Sequence, residues 1–162
     1  MLADIALRFE QSGLRRGRAR LQRHAQALLT RVLDDLGWPH AALTVLFCSD
    51  ARIRALNREF RGIDAPTDVL SFPAAEDIEA LRGEQAPYLG DLAVSLAYTA
   101  RQAREAGRAL DAEVSLLLVH GALHLLGWDH DTAARERRMW REQDRLLALA
   151  ADIPAPEIEF DA

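Results

Sequence analysis

Apolar positions along the chain change their period several times, and each change marks an element. In DIALRFE, residues 4–10, Ile5, Leu7 and Phe9 alternate with other positions, the two-residue period of a strand with one buried face. From 18 to 36 the spacing turns helical: Leu21, Leu28, Val32 and Leu36 share a stripe, which Gly37 and Pro39 end. LTVLFCS, residues 43–49, is a short β-rich apolar run. Asp50 then predicts the N-cap of a helix carrying Ile53, Leu56 and Phe60. Gly62 to Pro66 interrupt the pattern before a short strand, DVLSF at 68–72, stopped by Pro73. Residues 74–89 are acidic and contain Gly83 and Pro87, which predicts a long loop or an inserted turn. GDLAVSL at 90–96 alternates again as a strand, and a helix follows from Leu96 to Glu105. Asp111 predicts the cap of a helix over 112–126 that is apolar on almost every side, the mark of a buried helix. A last amphipathic helix spans 132–150.

The order βαβαββααα predicts an α+β fold with one mixed sheet of four or slightly more strands and helices packed on it. A chain of 162 residues suits a single core. No repeat or composition shift divides it, so residues 1–150 are expected to form one domain. The acidic, two-proline segment 151–162, ADIPAPEIEFDA, is expected to be a solvated or disordered tail.

Composition changes this picture little. The chain is 49% hydrophobic and 28% charged, ordinary for a globular protein, and no apolar run approaches the roughly 18 residues of a membrane span. The first residues lack the pattern of a secretory signal, and the lone Cys48 sits in an apolar run, so a cytoplasmic location is expected. The net charge of −5 argues against a generally basic nucleic-acid binder. All 20 basic side chains are arginine, a planar fork suited to phosphate. Five fall between Arg15 and Arg23 and four between Arg52 and Arg61. The first group predicts a solvated helix face, with guidance of RNA as its alternative.

Chemistry is concentrated in HGALHLLGWDH, residues 120–130, which holds three of the five histidines. Positions i and i+4 of a helix lie about 6 Å apart along the axis and point the same way. His120 and His124 therefore suit one ion held at about 2.0–2.1 Å from each nitrogen. Gly127 is placed to end the helix with φ > 0 and swing His130 back to them. Three imidazoles leave a fourth position open, whereas a structural zinc site is usually closed by four ligands. The spacing is that of H-E-x-x-H-x-x-G-x-x-H proteases, with Gly121 where those have their glutamate base. The metal cage is thus predicted without the protease's proton acceptor. Zinc fits the all-nitrogen set best, although nickel, copper or iron also bind such sets. Asp129 or Asp131 is placed to orient an imidazole, but Asp131 reads better as the cap of the last helix. Trp128 reads as a packing residue, and Thr67, Asp68 and Ser71 as turn and strand-edge residues. Asp91 fits either a turn or a partner to the site.

HGALHLLGWDH resembles the signature of the YbeY endoribonucleases, the rRNA maturation factors of bacteria. LNREFRGIDAPTDVLSFP at 56–73 and GDLAVS at 90–95 fit the same family in order. Trp128 departs from the tyrosine or histidine common there. The resemblance implies one zinc on His120, His124 and His130, and cleavage of single-stranded RNA. It further implies a role in maturation of the 16S rRNA 3′ end and ribosome quality control. The partners implied are ribosomal RNA and the small subunit, with no membrane and no DNA. It also places Arg61 near the metal as the catalytic arginine; taken alone, Arg61 beside Gly62 reads as a surface arginine that could hold a phosphate. A non-catalytic, metal-stabilised ribosome-assembly factor is the alternative, and a metalloprotease is disfavoured by Gly121.

Overall fold

The computed structural model describes residues 2–160; Met1 and the last two residues of the acidic segment, Asp161 and Ala162, lie outside the described residues. The fold is α+β, with a mixed four-stranded sheet whose strands lie in the spatial order 4–10, 42–48, 88–95 and 69–73. Strands β1 (Asp4–Glu10), β3 (Ala42–Cys48) and β5 (Tyr88–Ser95) run parallel, and β4 (Val69–Pro73) lies antiparallel on the edge beside β5. Helix α1 (Arg18–Asp35) makes the crossover between β1 and β3, and α2 (Asp50–Arg61) follows β3. Helices α3 (Leu96–Ala106), α4 (Leu110–Leu125) and α5 (Ala133–Leu149) follow β5 in succession. Among the described residues, no helix is long and apolar enough to cross a membrane.

The core is built around α4. Val114, Leu117, Leu118, Val119, Ala122 and Leu123 are buried although they spread around well over half of the helix circumference. The helix has neighbours all round: α1, α3 and α5 on its flanks and β4 and β5 beneath. Gly121 allows a close approach to the sheet. A Cβ added there would lie 2.9 Å from Leu92 Cδ2, a fully buried side chain of β5. The side-chain direction at 121 therefore points into the core.

Three capping expectations are corrected. Ser49, not Asp50, caps α2, and its Oγ accepts Arg52 N–H at 3.1 Å. Asp50 is the first helical residue, and it accepts from Ser95 Oγ at 2.7 Å and pairs with Arg101 at 2.8 Å. Thr132, not Asp131, caps α5, and Asp131 pairs with Arg135 one turn on. Asp111 lies inside the first turn of α4, where its carboxylate accepts the backbone N–H groups of Glu157 and Ile158 at 3.0 and 3.2 Å.

That last pairing belongs to a larger correction. Residues 151–160 do not form a solvated tail. Strand β6 (Glu159–Phe160) pairs antiparallel with a second strand that the periodicity missed, β2 (Leu14–Arg16). Ile158 is buried, His24 bonds Pro154 O at 2.8 Å, and Arg20 donates to Pro156 O and Glu157 O at 2.9 Å each. The Arg15–Arg23 run thus spends Arg20 on the strap; Arg18 lies 4.3 Å over the Phe9 ring, and Arg16 approaches Glu159.

Candidate metal centre

The C-terminal end of α4 shapes the site. Leu126 closes the helix, Gly127 takes φ of 91°, and two backbone bonds complete a Schellman turn: Gly127 N–H to His124 O at 3.1 Å and Trp128 N–H to Leu123 O at 3.0 Å. An L-residue with a Cβ would be strained at that φ. The reversal brings His130 back over the helix. Ligand-capable nitrogens of His120, His124 and His130 all lie within 4.8 Å of one another. His120 Nε2 and His124 Nε2 are 3.1 Å apart.

This spacing fits a metal. Two nitrogens bound tetrahedrally at about 2.0–2.1 Å from one ion sit roughly 3.3 Å apart. His120 Nδ1 faces Gln143 Oε1 at 2.5 Å, so its proton belongs on Nδ1 and its Nε2 carries a lone pair. The bare Nε2 of His120 therefore faces His124 Nε2 across 3.1 Å, an arrangement that a cation between the rings stabilises. Burial pushes the His124 pKa down to about 4, and the nearby His120 and His130 push it the same way. Burial also lowers that of His120, partly offset by Gln143 and Asp68. At neutral pH both rings are in the uncharged form that binds metal.

The trio forms one wall of a cleft of about 540 Å³. Arg61, Asp68, Ser71 and Asp129 line the rest with the edge strand β4. Arg61, at the last turn of α2, reaches across to donate to Ser71 O at 3.3 Å, and its side chain stays exposed. Ser71 Oγ in turn donates to Gly121 O at 3.3 Å, which ties β4 to α4. The fold thus brings Arg61 and the three histidines to one cleft.

Other expectations fare differently. Asp129 accepts the backbone N–H of His130 at 2.7 Å and shapes the turn, and among the described residues neither it nor Asp131 hydrogen-bonds an imidazole. Gln143 on α5 takes that place, and the sequence reading missed it. A signal existed: Met139, Gln143 and Leu146 form the buried stripe of α5, so an amide interrupts an otherwise apolar row. Asp68 does cap a strand end, accepting Val69 N–H at 2.7 Å, but it also faces the cleft, and Gln102 donates to its other oxygen at 3.2 Å. Asp91 belongs elsewhere, in a separate groove, where it accepts from Tyr88 OH at 2.5 Å. Trp128 packs against the core as expected. Trp140 was overlooked: its ring centroid lies 5.7 Å from that of His120 and 5.5 Å from that of His130. Cys48 is a buried thiol, and burial raises its pKa to about 11.

The family model described as Endoribonuclease YbeY matches residues 7–151. This chain belongs to the YbeY family. Relatives named Endoribonuclease YbeY agree: that of Gloeobacter violaceus is 54% identical over 106 residues, 65% of this chain and 55% of its own length. That of Pelotomaculum thermopropionicum is 40% identical over 136 residues, 81% of this chain and 90% of its own length. The match spans 62% of the Anaeromyxobacter sp. relative, so some YbeY proteins are considerably longer than the part shared here. The solution structure of a Thermotoga maritima protein superposes with a TM-score of 0.61 at 27% identity, covering 89% of this chain and 88% of that one.

Proposed function

We propose that this YbeY-family chain is a zinc-dependent endoribonuclease that cuts single-stranded RNA, and that it acts in maturation of the 16S rRNA 3′ end and in ribosome quality control in the cytoplasm. The observation that carries the reading is the convergence of three imidazoles in a cleft whose opposite rim holds an exposed arginine. His120, His124 and His130 would hold one zinc per chain. Zinc, when bound, supplies Lewis-acid stabilisation of charge that develops on a phosphoryl oxygen.

The chain's own residues do the remainder. Arg61 presents a guanidinium that binds the substrate phosphate; its single long bond to Ser71 O is easily exchanged for two charge-assisted ones. Asp68 and Asp129 supply the carboxylates of the cleft wall, and each accepts a backbone N–H that fixes its orientation. Residues 1–150 form the catalytic unit, with 151–160 as an acidic strap. The protease alternative lacks its base for a spatial reason: a side chain at 121 faces Leu92 in the core.

The test is incubation of metal-loaded protein with labelled single-stranded RNA, the matching duplex and casein, with His124→Ala as control. Cleavage of the single strand alone, lost in the variant, is expected. A 2′,3′-cyclic phosphate end would identify the RNA's own 2′-OH as the nucleophile. Metal binding with no RNA cleavage would favour the assembly-factor alternative, and casein cleavage would revive the protease.

A further inference from the structure

We propose that Gln143 is a positioning residue that sets the tautomer of His120 and so pre-forms the histidine trio for metal. The inference rests on the metal reading of this site and adds a residue from a different helix to it. Gln143 lies 23 positions along the chain from His120, yet its Oε1 stands 2.5 Å from His120 Nδ1. It is 6% exposed and occupies the core-facing stripe of α5 between Met139 and Leu146. An amide there displaces an aliphatic side chain that would bury more apolar surface, so its place on the stripe calls for a polar role.

That role follows from the two nitrogens of the ring. A neutral imidazole carries one proton, and the nitrogen without it is the one that binds metal. The Gln143 carbonyl accepts from Nδ1, so Nε2 is left bare, 3.1 Å from His124 Nε2 and facing the centre of the trio. Without the acceptor, Nε2–H would donate to His124 Nε2, and the two rings would close the site against an ion. The uncharged amide also matters. A carboxylate in its place would make His120 a stronger donor and would bind metal more tightly. Gln143 thus holds the geometry of such a partner while leaving more charge on the ion.

The experiment reads the metal-free protein first. Long-range 1H–15N spectra of the histidine rings at neutral pH should show His120 protonated on Nδ1 in the wild type. In Gln143→Leu the ring should move to the Nε2–H form, wholly or as a mixture, while circular dichroism shows an intact fold. Gln143→Met serves as a second apolar variant if Leu disturbs α5. Zinc affinity, from competition with a chelating dye, should fall about 10–100-fold in the apolar variants. Gln143→Glu should keep the Nδ1–H form and bind zinc at least as tightly as wild type. A wild-type His120 protonated on Nε2 would overturn the proposal, as would zinc affinity within twofold of wild type in a folded apolar variant. If the wild type binds no zinc, the functional reading fails, while the tautomer spectra still decide the role of Gln143.

Discussion

Metal-free protein should lose stability as pH falls from about 6.5 to about 4, and His124 should account for a measurable share of the loss. In the unfolded chain this imidazole takes up a proton near its ordinary 6.5; in the folded protein burial and the two neighbouring rings hold it off until about 4. Between those values the unfolded state binds the extra proton, so stability rises with pH. The contribution is fully present above about 6.5 and gone below about 4. The gap sets a ceiling of about 3.4 kcal/mol at ~1.36 kcal/mol per pH unit. His124 is only half-buried, and solvent screening reduces this to roughly 1–2 kcal/mol. Urea unfolding in the presence of chelator, across this pH range, compares wild type with His124→Gln, which has no proton to gain. Carboxylates also titrate over the lower part of the window, but they do so in both proteins. The stability difference between the two should change by roughly 1–2 kcal/mol across the window, to the wild type's disadvantage at low pH. A difference that stays constant with pH would refute the placement of this ring among the other two.

Arg61→Ala should leave zinc content unchanged and cost under about 1 kcal/mol of stability, because the exposed side chain makes one long bond. It should slow single-turnover RNA cleavage about tenfold or more, with Arg61→Lys recovering only part. Wild-type cleavage by the alanine variant would remove this residue from the site. Gly121→Glu should destabilise the fold by about 3 kcal/mol or more, since the new side chain meets buried Leu92 and carries a charge into the core. Thermal melting checks this, and a stable variant that cleaves casein would contradict the direction assigned to position 121. Deleting residues 153–162 should cost about 3–5 kcal/mol in urea unfolding, from the loss of buried Ile158 and the partners of His24, Arg20 and Asp111. An unchanged unfolding midpoint would show that the strap is dispensable.

Sequence legibility followed the range of the interactions. The histidine cluster was readable because its geometry is local: helix periodicity aligns His120 and His124, and Gly127 supplies the reversal. Helix α4 was readable because a helix apolar on almost every side must be packed on almost every side. The caps at Ser49 and Thr132 were missed by one position each, because a neighbouring aspartate competes for the same sequence signal. The β2–β6 pair was not legible. Its strands are three and two residues long, too short for a period, and its anchors His24, Arg20 and Asp111 are distant in sequence. Gln143 lies between these cases: its stripe was visible, but its partner was 23 residues away.

The placement of α4 in the chain has a consequence for synthesis. All four strands of the main sheet, and helices α1 to α3, precede Leu110–Leu125. On a ribosome, the surface that receives this water-averse helix has therefore emerged before the helix itself, and α5 and the C-terminal strap follow to cover it. A rearranged chain that opened with α4 would present the same residues to solvent with nothing yet to hide them. Vectorial order thus protects against aggregation a helix with little polar surface beyond the strip that carries His120 and His124.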